Sequence, residues 1–267
     1  MNSLSQAFAD GAVMTKRNLL KIGRLPDLLV FSTVQPIMFV LLFAYIFGSA
    51  IQLPGMSYRE FLLPGIFVQT VIFGATITGA GLADDIKKGI IERFRSLPIS
   101  SSAVLIGRTT SDLLNNLLVV LIMAGTGLLV GWRIRSSFLE AVGGFALLLG
   151  FAYAFSWVMA TVGLSVKSVE VVNNAAFIVI FPLTFIANTF VPMDNFPAPL
   201  KAFASWNPVS ALTLAVRELF GNTNSAFPAP DSWPLQNAKL VSAIWIVVIL
   251  AVFIPLAIRA YKKAAAR

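Results

Sequence analysis

From Ala141 to Val166 the chain runs 26 residues without one charged side chain. A helix needs about 20 apolar residues to cross a hydrocarbon core about 30 Å thick. In lipid only a helix or a closed barrel satisfies its own backbone, and a run of this length reads as a helix. Similar runs occur at 28–47, 61–82, 113–130, 171–191 and 240–258. A soluble fold would leave such helices apolar on every side with nothing to bury them. Composition agrees, with 12% charged residues where a soluble domain carries about 25%. The sequence therefore predicts an all-α membrane protein with six transmembrane helices.

Three segments frame this domain of 27–258. Residues 1–26 predict an amphipathic helix, with Leu4, Phe8, Leu19 and Ile22 on one face and Arg17, Lys21 and Arg24 opposite. Such a helix suits an anionic membrane surface; the plainer reading is a solvated helix leading into the bundle. The first 25 residues carry no secretory pattern, so the first span is expected to be retained. Residues 192–236 are rich in proline and tryptophan. Within them Val209–Phe220 is apolar but too short to span, which fits a re-entrant or interfacial helix. Residues 259–267 form a basic tail. Inside the spans, Gln35-Pro36 predicts a kink. Thr76, Thr78, Gly79 and Gly81 form a small-residue run that permits close helix packing.

The net charge of +8 need not mean nucleic acid, because the basic residues cluster between spans. With both termini inside, the outer face holds Arg59, Arg133, Arg135, Lys201, Arg217 and Lys239, and the other fourteen bases lie within. That bias predicts cytoplasmic termini. The chain has no cysteine and no histidine, which excludes a Ser-His-Asp triad, a cysteine nucleophile and a His/Cys zinc site. No sequence matches a phosphate-binding loop, so energy for uphill movement must come from an ion gradient or another subunit. A gradient needs carboxylates at membrane depth. The acids here fall at span ends or in loops, with Asp112 the deepest and Arg108 four residues before it as an interfacial ion-pair partner. Glu60 opens the second span, where a helix N-terminus favours an anion.

The loop 84–100 carries the most pattern. Ile86, Ile90, Phe94 and Leu97 recur at helical spacing, Lys88, Glu92 and Arg95 take another face, and Pro98 ends the run. Periodicity reads equally as an ordinary interfacial helix or as a docking element. The run Glu92 to Ser100, with Gly107-Arg108 and Asp112, resembles the first cytoplasmic loop of type-2 ATP-binding-cassette exporter permeases, in particular the daunorubicin-resistance type. A second patch agrees: Phe190-Val191-Pro192-Met193, Phe196-Pro197, Trp206-Asn207-Pro208 and Arg217. Ser101-Ser102 departs from the family, where a basic residue is common.

The resemblance implies a dimer of permeases, either two copies or a copy with a paralogue, over separate cytosolic ATPase subunits that use ATP and Mg. The chain itself would bind no cofactor and would be no enzyme alone. It implies a bacterial plasma membrane and an amphipathic drug, antibiotic or lipid as cargo. Ile90, Glu92, Arg93, Phe94, Arg95, Leu97 and Pro98 would form the coupling helix. Short re-entrant helices around Val209–Phe220 would cap the exit. Gln69, Thr76, Asn115, Asn173 and Asn174 are candidate path-lining residues, with helix–helix hydrogen bonds the alternative for each. An ion-driven carrier using Asp112 or Glu60, and a non-transporting assembly subunit, stay open.

Overall fold

The computed structural model describes residues 13, 15, 26–48, 51, 53, 55–95, 101–166, 168–193, 196–224 and 231–264. The interfacial helix expected over 1–26 falls almost wholly outside them. Among the described residues the chain is helical, and β pairing is confined to an isolated bridge between Leu53 and Met56.

Helix α1 (Pro26–Leu42) holds Pro36 in its interior and runs into a π-helical turn at Phe43–Phe47. Ser57 caps α2 (Tyr58–Gly74), which continues after a break at Ala75 as α3 (Thr76–Lys87). Gly89, at φ 66°, turns the chain into α4 (Ile90–Arg95); that left-handed conformation suits a residue without a Cβ. The periodicity over 84–98 predicts one helix, but this turn divides it, and Ile91 rather than Ile90 becomes fully buried.

Helix α5 spans Ser101–Leu129. The helix extends before the apolar run that begins at 113, so Arg108 and Asp112 lie inside it. Asp112 is the twelfth of its 29 residues. Ser137 and Glu140 form a reciprocal capping box that opens α6 (Phe138–Ser165). Ser168 caps α7 (Val169–Phe185). The apolar run predicts a helix to 191, but α7 ends at Phe185, and 186–193 is non-helical although Ala187, Asn188, Thr189, Phe190 and Met193 are buried. Short helices α8 (Ala198–Trp206) and α9 (Pro208–Leu219) follow, then α10 (Trp233–Gln236) and α11 (Ala238–Ala264).

Among the described residues, four helical lengths are long and apolar enough to cross a membrane: Tyr58–Lys87, Ser102–Leu129, Phe138–Ser165 and Ala238–Ala264. Two shorter apolar helices, Val34–Phe47 and Val169–Phe185, accompany them. Helix α6 is the axis of the bundle and packs on α11, α3, α5, α9 and α2. Its approach to α3 needs glycine on both sides. A Cβ on Gly163 would meet the Gly79 carbonyl, and one on Gly79 would meet the Met159 carbonyl at 2.6 Å. Small residues allow such contact in lipid, where no hydrophobic effect drives helices together. Outward, α11 exposes Leu240, Ile244, Val247, Val248, Val252 and Leu256, a surface that only hydrocarbon or another apolar face can cover.

Candidate functional site

Helices α1, α2, α3, α5 and α7 line a partly open cleft of about 280 Å³. Its walls alternate two chemistries. Gln35, Gln69, Thr70, Thr76, Asn115 and Asn116 supply polar groups, and Phe39, Phe73, Phe177, Phe181 and Phe185 supply aromatic faces. Few convergent polar groups in an apolar wall are the usual build of a small-molecule site. The break between α2 and α3 shapes this wall. Thr76 Oγ1 donates to the Phe73 carbonyl at 2.7 Å, and Gly74 carries no Cβ where the Asn116 amide oxygen sits.

Three of the five expected path residues, Gln69, Thr76 and Asn115, come together in this cleft. Asn173 and Asn174 do not line it and are exposed on α7, with Asn173 one helical turn before Phe177. Gln35 lines it and was missed. Its signal was a glutamine in an apolar span, which the adjacent proline drew toward a kink.

Beyond the cleft toward α4, a buried polar cluster ties α3 to α5. Arg108 Nε donates to Asp112 Oδ2 at 3.0 Å, and Thr78 Oγ1 donates to the same oxygen at 2.7 Å. Arg108 Nη2 donates to the Ile77 carbonyl at 2.9 Å, and Gly81 leaves room for the guanidinium. The Asp112 side chain is 2% exposed and that of Arg108 is 11% exposed. The i, i+4 pair expected from the sequence forms, and it is buried between helices.

Helix α4 follows. Ile91 is buried with Leu82, Val104, Leu105, Trp157, Leu164, Ala257 and Tyr261. Ile90 is half-buried and Glu92 is exposed. Arg93, Phe94 and Arg95 belong to α4, while Leu97 and Pro98 lie outside the described residues. Nearby Lys88 bonds Asp84 at 2.7 Å, which raises the Lys88 pKa. Thr15 donates to the Gly107 carbonyl at 3.4 Å, and Tyr261 near the end of α11 packs beside Ile91. Thr15 therefore lies against α5, and the end of α11 lies beside α4.

At the other end, α9 holds the segment that follows α7. Asn207 Nδ2 donates to the carbonyls of Leu183 (2.7 Å) and Ile186 (2.8 Å), while its Oδ1 caps α9 by accepting from Val209 N at 2.9 Å. One side chain thus ends α7 and begins α9. Arg217, 3% exposed, donates to the carbonyls of Phe61 (2.7 Å), Asn188 (2.7 Å) and Thr189 (3.1 Å). Its guanidinium carbon lies 3.6 Å from the Phe61 ring centroid. The Asn188 and Thr189 carbonyls lie past the end of α7, where no helical ladder uses them, and the guanidinium takes both while bonding Phe61 of α2. Tyr58 donates to the Phe190 carbonyl at 3.0 Å. Around them Arg135 forks onto Glu60 Oε1 at 2.6 and 3.0 Å, and Trp132 Nε1 donates to Asn222 at 2.7 Å.

A helical bundle with a polar-aromatic cleft, a short helix at one end and a side-chain-clamped pair at the other has the layout of a membrane permease subunit. The family model for ABC-2 type transporters matches residues 11–220, and the chain belongs to that family. It is 33% identical to the daunorubicin resistance ABC transporter permease protein DrrB1 of Streptomyces coeruleorubidus, over 97% of this chain and 89% of that protein. It is 25% identical to the probable doxorubicin resistance ABC transporter permease protein DrrC of Mycobacterium tuberculosis, over 78% of this chain and 76% of that one. The putative transport permease ycf38 of Porphyra purpurea is 26% identical over 80% of this chain and 75% of its own. Membership of this family implies an ATPase subunit as partner.

Proposed function

We propose that this chain is half of the membrane domain of an exporter that carries an amphipathic drug, antibiotic or lipid out across a bacterial plasma membrane. Six spans cross the bilayer: the four long helices plus α1 with its π-helical turn, and α7. Both termini and α4 face the cytoplasm, and α8 and α9 re-enter the membrane from outside. A second permease completes the path, and an ATPase subunit that consumes Mg-bound ATP docks under α4. Residues 84–100 form the coupling loop, with Ile90, Glu92, Arg93, Phe94, Arg95, Leu97 and Pro98 in the joint.

The observation that carries this reading is the cleft. Flat aromatic rings beside amide and hydroxyl groups suit a planar amphipathic molecule, and its wall is the same α2–α3 rod that ends one turn from α4. Motion imposed on α4 has a rigid route to the cleft, because Ile91 is packed against α5, α6 and α11. An ion-driven carrier finds less support. Asp112 is already bonded to Arg108 and Thr78, and Glu60 to Arg135.

The test is ATP hydrolysis by the permease coexpressed with its ATPase, wild type against Arg93→Glu/Leu97→Asp. The reading requires stable co-purification and an activity that the variant loses or uncouples. A variant that assembles and behaves as wild type would sink the coupling assignment.

A further inference from the structure

We propose that Phe190 closes the cleft toward the α8 end and that Arg217 is the residue that positions it. This rests on the cleft being the transport path.

The rings of the cleft form a continuous ladder. Phe73 meets Phe177 at 6.2 Å, Phe177 meets Phe181 at 5.2 Å, and Phe181 meets Phe185 at 4.0 Å. Beyond Phe185 the next ring is Phe190 at 4.9 Å. Phe190 also stacks on Phe43 at 4.8 Å, and Phe43 stacks on the cleft residue Phe39 at 5.7 Å. Phe190 is therefore wedged between the last cleft ring of α7 and the π-helical turn of α1, bridging the two walls beyond Phe185.

Its backbone belongs to no helix, so nothing within the segment 186–193 holds the ring there. Two side chains from elsewhere do so. Arg217 grips the two preceding carbonyls, Asn188 and Thr189, and ties them to Phe61 of α2. Tyr58 grips the Phe190 carbonyl itself. Gly65 lets this segment lie against α2, since a Cβ there would meet the Thr189 carbonyl. The hold is made of backbone carbonyls on a short segment, so it can be released without unwinding a helix. The closed arrangement also leaves Asn188 Oδ1, Thr189 Oγ1 and Thr213 Oγ1 buried without a hydrogen-bond partner. Such groups raise the free energy of the state that buries them, which favours a second arrangement that frees them.

The chain has no cysteine, so single thiols can report the closure. Thr70→Cys places one on the cleft wall, and Leu200→Cys places one on the exposed face of α8. The full-length chain is studied in right-side-out and inverted membrane vesicles with a charged, membrane-impermeant methanethiosulfonate reagent. The side on which Leu200→Cys reacts defines the α8 side, whatever the orientation. From that side Thr70→Cys should react slowly. Adding Phe190→Ala should speed the reaction at least tenfold, and Phe190→Leu should restore slow labelling. Arg217→Lys keeps the charge but not the fork, and should also speed it.

Tyr58→Phe, which removes one hydroxyl, gives the same reading if Arg217→Lys fails to accumulate. Leu200→Cys should label equally in every background, which excludes general unfolding. Unchanged Thr70→Cys labelling with Phe190→Ala overturns the closure. Acceleration by Phe190→Ala alone, with Arg217→Lys and Tyr58→Phe silent, overturns the positioning role. Labelling needs neither ATP nor drug, so failed export with altered labelling refutes the exporter reading alone. Normal export with unchanged labelling refutes the closure alone.

Discussion

Asp112 shows what burial does to a residue whose sequence position looked peripheral. Its carboxylate takes one bond from Arg108 and one from Thr78 in a site from which water is largely excluded. Removing one member of a buried pair costs about 3–5 kcal/mol, because the other charge is left unpaired, whereas an apolar replacement of both is often tolerated. Asp112→Asn should therefore lower stability by about 3 kcal/mol, read from the unfolding midpoint in mild detergent. Arg108→Met/Asp112→Leu should recover more than half of that loss. Asn207 provides a sharper sign. Its amide donates to two carbonyls and its oxygen caps α9. Asn207→Ala should cost about 2 kcal/mol, the sum expected for a lost cap and two exposed acceptors. Asn207→Asp keeps the cap but sets a carboxylate against the carbonyls of Leu183 and Ile186, so it should unfold more easily than the alanine variant. The sequence contained this residue in its Trp-Asn-Pro patch, but not the fact that one side chain serves two helices.

At the scale of elements, existence was legible and boundaries were not. Apolar runs located every long helix. The apolar run at 113–130 marks only the uncharged part of α5, which begins at Ser101 because a paired charge is compatible with a helix interior. Glycine runs had been read as packing positions, and the structure gives that reading a partner: Gly79 against Gly163 across α3 and α6. Even one methyl group at Gly163 must push the Gly79 backbone away. Overpacking of this kind costs about 1–3 kcal/mol, so Gly163→Ala should lower the unfolding midpoint. Because α3 runs from the cleft wall to α4, coupling through α4 as proposed predicts that the same variant reduces drug-stimulated ATPase activity more than basal activity in the assembled complex.

For the whole molecule, the exposed surface is of two kinds. Helix α11 turns only apolar side chains outward through its middle, which hydrocarbon covers at no cost. The α1–α7 side is different, since Gln35, Asn173 and Asn174 are exposed among Met38, Phe177 and Ile178. Exposed amides are expensive in lipid, and a second permease on this side would shelter them and complete the open cleft. In the cysteine-free chain, Ile178→Cys should form a disulfide-linked dimer on oxidation in membranes, seen on a non-reducing gel. Val247→Cys, on the lipid-facing side of α11, should not. Equal cross-linking at both positions would place the partner elsewhere.

Composition, run length and charge bias determined by themselves that this chain is a helical membrane protein with cytoplasmic termini expected. They did so because desolvation in a bilayer is a property of each segment alone. The motifs resembled the family to which the chain belongs, and that resemblance implied which loop would meet an ATPase. Tertiary structure decided which polar residues share a cleft, because Gln35, Gln69 and Asn115 lie on three helices whose rotation about their axes is set by packing. It also decided where α7 ends. That boundary depends on carbonyl partners supplied by Asn207 and Arg217, some 20 to 30 residues away in sequence, and no local pattern encodes a bond across that distance.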